Sequence, residues 1–130
     1  MNPERIIGLG TDLVEIARIE ESITKFGDRF LEKIFLPGEI TYAQSQSRPA
    51  AHLAARFAAK EAAAKAFGTG IGESLSWLGL EVGRQASGEP FLRFHSTAVD
   101  LARTRGVTRT LLSLSHTQTL ASATVTLIGS

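Results

Sequence analysis

The sequence predicts an α+β fold in which helices pack against a largely antiparallel sheet. Three observations carry this expectation. A short apolar strand opens the chain and leads into Gly8 and Gly10, an alanine-rich helical run occupies the middle, and a hairpin of β-branched and apolar residues closes it. At 130 residues, 43% of them hydrophobic and 21% charged, the chain is long enough for one domain with a real core and too short for two domains. A single domain over 1–130 is expected.

Residues 5 to 12 read as the opening strand. A helical pattern starts at about Glu15, where Ile16, Ile19, Ile23, Phe26 and Phe30 recur every three or four residues. Gly27 should break or kink it. Pro37 suits the first turn of a short helix, since its missing N–H costs nothing there. Pro49 does the same for the strongest helix, about 49 to 67, which Gly68-Thr-Gly70 ends. Residues 77 to 83 and 90 to 95 read as strands joined by a turn at Ala86-Ser-Gly88-Glu-Pro90. A helix at about 96 to 105 follows, then strands 109 to 116 and 120 to 128 joined near Thr117-Gln118.

Composition removes several function classes. Cysteine is absent, which excludes a disulfide framework, a thiol nucleophile and cysteine-ligated metal centres. The start, Met-Asn-Pro-Glu-Arg-Ile-Ile, lacks the basic segment and longer apolar core of a signal peptide, and no apolar run approaches membrane-spanning length. A cytoplasmic protein without a membrane partner is expected. The net charge of +1 and the lack of a basic patch interleaved with aromatics argue against a nucleic-acid binder. Ten of the fourteen cations are arginine, whose planar fork suits phosphate and carboxylate.

Two acids stand in the most distinctive segments, Asp12 at the strand end and Glu61 on the alanine helix. Magnesium takes one or two protein carboxylates and completes its octahedron with water and phosphate oxygens, so the pair points to phosphoryl-type transfer. On the helix, Phe57, Glu61 and Lys65 share a face beside Ala54 and Ala58, with Arg56 and Lys60 on the adjacent flank. The same residues also read as a surface Glu61–Lys65 pair worth about 0.2–0.5 kcal/mol on a helix built from its best former, the reading the helix favours on its own. Asp12 reads either as a ligand or as a helix N-cap, a role open to Thr11 too. Gly68-Thr-Gly-Ile-Gly72 either offers backbone N–H groups to a phosphate or simply caps the helix. His116 shares strand parity with Leu112 and Leu114, which points it inward unless the strand end leaves it open to ligand. Arg18, Ser22, Lys25, Arg29 and Lys33 form either a solvated stripe balanced by acids or a docking face for an acidic partner.

Taken in register, four segments resemble the holo-acyl-carrier-protein synthases, the small bacterial phosphopantetheinyl transferases. They are Gly-Thr-Asp-Leu-Val-Glu-Ile-Ala-Arg at 10–18, Arg-Phe-Ala-Ala-Lys-Glu-Ala-Ala-Ala-Lys-Ala-Phe-Gly-Thr-Gly-Ile-Gly at 56–72, Ser-Gly-Glu-Pro at 87–90 and Ser-Leu-Ser-His-Thr at 113–117. The resemblance implies that family's fold and magnesium-dependent transfer of 4′-phosphopantetheine from coenzyme A to a serine of apo acyl carrier protein, in fatty acid biosynthesis. It also implies release of adenosine 3′,5′-bisphosphate and a homotrimer with active sites at subunit interfaces. By matching position, Asp12 and Glu61 become the magnesium ligands and Lys65 a catalytic cation. Glu61 is the candidate base, ahead of Asp12. Arg56, Lys60, Lys65, Gly68, Gly70, Gly88, Pro90 and His116 become the coenzyme A lining, while Arg18, Ser22, Lys25 and Arg29 would meet the carrier protein. Glu89 stands where many relatives place a cation, which removes that phosphate contact unless Arg84 supplies one. The resemblance leaves two rival readings, a binding module that kept the fold and a transferase of broader carrier range. Both acids and Lys65 argue against the first, and the short chain against the second.

Overall fold

The structure, a computed structural model, describes residues 3–130. Its elements are β1 (Arg5–Glu15), α1 (Ile16–Phe26), α2 (Asp28–Ile34), α3 (Pro37–Gln44), α4 (Pro49–Phe67), β2 (Leu80–Arg84), β3 (Pro90–Phe94), α5 (Thr97–Thr104), β4 (Val107–His116) and β5 (Leu120–Gly129). The α+β expectation holds, with the strands divided between two antiparallel sheets: β1-β5-β4, and the hairpin β2-β3. Residues Trp77–Gly79 form a turn of 3-10 helix where strand was expected, because the Ser76 hydroxyl accepts the Gly79 N–H at 3.0 Å and curls the chain. β1 runs to Glu15, three residues past the expected end, because its pairing with β5 continues to Glu15 opposite Leu120.

Alternation along β1 decides where α4 lies. Gly8, Gly10, Asp12 and Val14 face inward, whereas Leu9, Thr11 and Leu13 face out. A Cβ on Gly8 would collide with the Ala66 carbonyl, and one on Gly10 with the Ala62 carbonyl. The two glycines therefore let the helix backbone lie directly on the strand, a contact that no other residue type permits. Small residues on α4 complete the fit: Ala58, Ala59, Ala62 and Ala63 are fully buried, packed with Leu75, Leu80, Val125 and Leu127. The N-terminal half of α4 supplies Ala51, Leu53, Ala54 and Ala55 to a second core with Ile16, Ile19, Leu31 and Phe35. One helix thus serves both cores.

Helix ends follow their predicted chemistry. Gly27 takes φ +58°, ends α1 through an N–H donated to the Ile23 carbonyl at 2.8 Å, and lets α2 start in a new direction. The stripe read through Phe26 stops there, and Phe26 is left 52% exposed. Pro37 and Pro49 occupy the first turns of α3 and α4. Gly68 closes α4 in the left-handed conformation at φ +77°.

Candidate active site

β1 carries Asp12 to the inner face of its sheet, and α4 brings Glu61 and Lys65 across it. The Lys65 ammonium donates to Asp12 Oδ1 at 2.9 Å and to the Thr11 carbonyl at 3.1 Å. Asp12 is largely covered, its side chain 16% exposed, while Lys65 stays open at 54%. The hydrogen bond to Asp12, then its negative charge, raise Lys65 above its ordinary range and keep it a cation. Glu61 is half-buried, and burial first, then the Asp12 charge, lift its carboxyl above the usual value, with Lys65 opposing. That is the electrostatic signature of two acids sharing a site with one fixed cation.

Asp12 and Glu61 open onto a cavity of about 570 Å³ between β1, α1 and α4. Asp12, Glu61, Phe57, Arg18, Ser22 and Phe30 are among its walls. Phe57 is held by the Trp77 ring, stacked at 5.0 Å and 27°. The predicted docking residues divide here. Arg18 and Ser22 reach the cavity, whereas the Lys25 ammonium folds over the Phe26 ring at 5.3 Å and Arg29 is exposed on α2 beyond the Gly27 break.

Lys60 is a correction. It is 0% exposed, and its ammonium donates to Glu39 Oε1 at 2.8 Å, the Ile34 carbonyl at 2.7 Å and the Trp77 carbonyl at 3.1 Å. All three donors are engaged, so no phosphate contact is available to it. Burial lowers its proton affinity and Glu39 opposes that shift. Glu39, itself 2% exposed, also accepts the Leu36 N–H at 2.8 Å and the Val82 N–H at 2.9 Å. The pair ties α3, α4, β2 and the turn before β2 into one unit. Sequence reading missed Glu39 because its partner lies 21 residues away and a lysine among alanines reads as solvent-facing.

The glycine run after α4 resolves to a cap. The Gly68, Thr69 and Gly70 N–H groups all donate to the Ala64 carbonyl, at 3.0, 3.3 and 3.4 Å, and the Gly72 N–H to the Leu75 carbonyl at 3.0 Å. These groups form no phosphate cradle, and Gly68 and Gly70 offer only exposed surface.

The remaining predicted lining residues collect around the N-terminal half of α4. Arg56 is 2% exposed, with its guanidinium over the Tyr42 ring at 4.5 Å. Arg84 lies 5.7 Å from the same ring and donates to the Gly88 carbonyl at 2.7 Å, at the turn that leads to Pro90. His116 shares the inward parity of Leu112 and Leu114 but is exposed, because the strand end lies beyond the core. Its ring meets that of His52 at 5.7 Å. Tyr42 and His52 were not singled out from sequence, although His52 stands one helical turn before Arg56.

No group of three or more His, Cys, Asp or Glu side chains disposed to hold a metal occurs among the described residues. Two carboxylates are nonetheless what magnesium takes from a protein when water and phosphate oxygens fill its other positions, so Asp12 and Glu61 fit that ion.

Comparison with known proteins matches this arrangement to a family. Residues 8–122 fit the model of the 4′-phosphopantetheinyl transferase superfamily. A holo-(acyl-carrier-protein) synthase of Koribacter versatilis is 49% identical over 122 residues, covering 94% of this chain and 98% of the relative. One from Chlamydia trachomatis is 49% identical over 118 residues, covering 91% and 96%. Among solved structures, the Neisseria meningitidis synthase superposes with a TM-score of 0.89 at 36% identity, over 95% of this chain and 98% of that one. The Helicobacter pylori synthase in complex with coenzyme A gives 0.82 at 30% identity, over 92% and 98%. The chain belongs to the 4′-phosphopantetheinyl transferase superfamily and, within it, to the holo-(acyl-carrier-protein) synthases.

Proposed function

We propose that this protein transfers the 4′-phosphopantetheine group of coenzyme A to a serine of apo acyl carrier protein, with magnesium, as a cytoplasmic step of fatty acid biosynthesis. The observation that carries the reading is the grouping of Asp12, Lys65 and Glu61, with both acids in the wall of a cavity that Arg18 also lines. Coenzyme A complexes of the Helicobacter pylori and Bacillus anthracis synthases support the donor.

Asp12 and Glu61 would hold the ion, which supplies charge neutralisation on the donor's pyrophosphate. Lys65, exposed yet anchored through Asp12, adds fixed positive charge at the same oxygens. The carrier's serine oxygen bonds to the phosphorus that bears the pantetheine arm, and the bond from that phosphorus to adenosine 3′,5′-bisphosphate breaks. Glu61 is assigned to take the serine proton as the general base. Arg18, at the rim of the cavity, steers the acidic carrier. Coenzyme A lining is assigned to Arg56, Gly88, Pro90 and His116.

The outer face of the β1-β5-β4 sheet supports a homotrimer. Ile6, Leu9, Leu13 and Leu111 are 69, 65, 65 and 50% exposed, and two further copies of the chain would cover them.

Mass spectrometry of apo acyl carrier protein after incubation with the protein, coenzyme A and magnesium tests the function. A gain of one phosphopantetheine is expected, and an unchanged carrier would reject it. Binding of coenzyme A without transfer would identify the binding module instead.

A further inference from the structure

We propose that Lys60 is a positioning residue for the acceptor: from outside the cavity it sets two aromatic walls, Phe30 and Phe57, against which the carrier protein docks. The inference deepens the transferase reading and rests on it. Lys60 is not among the cavity walls. It is 0% exposed, and its ammonium is enclosed by Glu39 and by the Ile34 and Trp77 carbonyls. Whatever it does for the reaction passes through the groups it holds.

Two routes lead from that ammonium to the cavity. The first runs through Trp77, whose carbonyl Lys60 holds at 3.1 Å and whose ring stacks on Phe57 at 5.0 Å. The second runs through α2. Lys60 donates to the carbonyl of Ile34, the last residue of that helix, at 2.7 Å and lies 5.4 Å from the centre of the Phe35 ring. Phe35 in turn meets Phe30 edge-on at 6.3 Å. Phe30 and Phe57 both face the cavity that Arg18 and Ser22 line from α1.

Neither route is fixed by its own element. α2 has seven residues, too few for a helix to hold alone in water, and it starts after the Gly27 break. Trp77 opens a single turn of 3-10 helix. The Ile34 carbonyl is one that a helix end leaves without a partner, and Lys60 supplies it. Stability alone does not call for a charge here, because apolar groups of similar volume often replace a buried ion pair at no loss. Such groups make no directional bond. The ammonium does, and Glu39 clamps it while accepting the Leu36 and Val82 N–H groups. α2, α3, β2 and the 3-10 turn therefore take their places from one point on α4.

Steady-state transfer by full-length Lys60→Met/Glu39→Gln tests this, because the variant removes both charges and strands neither. Each protein is assayed well below its own melting temperature. The KM for apo acyl carrier protein should rise about tenfold, as for a displaced docking wall, while kcat and the KM for coenzyme A stay within a few-fold. Phe57→Leu should raise the carrier KM in the wild-type background and add little to the double variant, since both act on one wall. A wild-type carrier KM in the folded double variant, or full additivity with Phe57→Leu, would overturn the assignment. Loss of kcat with both KM values unchanged would also overturn it, because that is the mark of a purely structural pair. If the double variant does not fold, Trp77→Leu reads the first route while sparing every contact of the ammonium. A raised carrier KM there supports the proposal, and an unchanged one overturns it. If the wild type leaves the carrier unmodified, the transferase reading itself falls and takes this inference with it.

Discussion

Lys65 Nζ and Asp12 Oδ1 lie 2.9 Å apart, joining residues 53 positions distant in the chain. The contact depends on how closely α4 rests on β1, which Gly8 and Gly10 allow by having no side chain to hold the helix away. Because Glu61 stands one turn earlier on the same helix, the approach that brings Lys65 to Asp12 also brings the second acid into the cavity. Backbone packing here sets the chemistry of the site.

Gly10→Ala should therefore damage stability and activity together. The added methyl meets the Ala62 carbonyl, which a rigid helix backbone does not yield. A loss of about 1–3 kcal/mol in urea unfolding is expected, as for other overpacked cores. Unchanged stability would show that α4 does not rest on β1 as described.

Glu61→Gln should lower transfer by about 10²–10⁴-fold while the fold survives, as expected for removal of a proton acceptor. Stability gives an independent check, with its sign fixed by the raised Glu61 value. The folded state binds this proton more tightly than the unfolded state, so ionised Glu61 costs stability as pH rises through its folded value. The variant should melt higher than wild type at pH 8, and the gap should close on acidification and vanish below about pH 4.3, the unfolded carboxylate value. Thermal melts at both ends of this range decide it.

Lys60→Met should cost about 3–5 kcal/mol, because it strands the Glu39 charge in the interior. Lys60→Met/Glu39→Gln, which removes both charges, should recover a large part. Coenzyme A affinity of the folded double variant should stay within a few-fold of wild type. A selective collapse of that affinity would restore the phosphate contact that the burial of Lys60 excludes.

The fold was legible wherever local chemistry set it. α4 spans Pro49–Phe67 as read, since its proline start, alanine body and glycine stop are all in the sequence. Asp12, Glu61 and Lys65 were legible as a set only through their motifs. Helical spacing put Lys65 beside Glu61, but nothing local said that β1 would lie beneath them. Lys60 went the other way, because a charged residue on an alanine helix looks exposed until Glu39 arrives from α3. His52 was hidden for a similar reason: Tyr42, Arg84 and His116 reach it from three other elements.

Arg18→Glu should raise the KM for acyl carrier protein at least tenfold and change the KM for coenzyme A little. Arg18 lines the cavity onto which Asp12 and Glu61 open, whereas Arg56 and His116 are not among its walls. Steady-state kinetics with each substrate varied in turn separates the two. An equal rise in both constants would remove Arg18 from carrier docking.

In the proposed reaction Asp12 and Glu61 would grip one divalent ion between strand and helix. Electron paramagnetic resonance titration with manganese, in the presence of coenzyme A, reads that grip directly. The wild type should bind one ion per chain, and Asp12→Asn and Glu61→Gln should each lose it while remaining folded. Undiminished manganese binding in both variants would contradict the account.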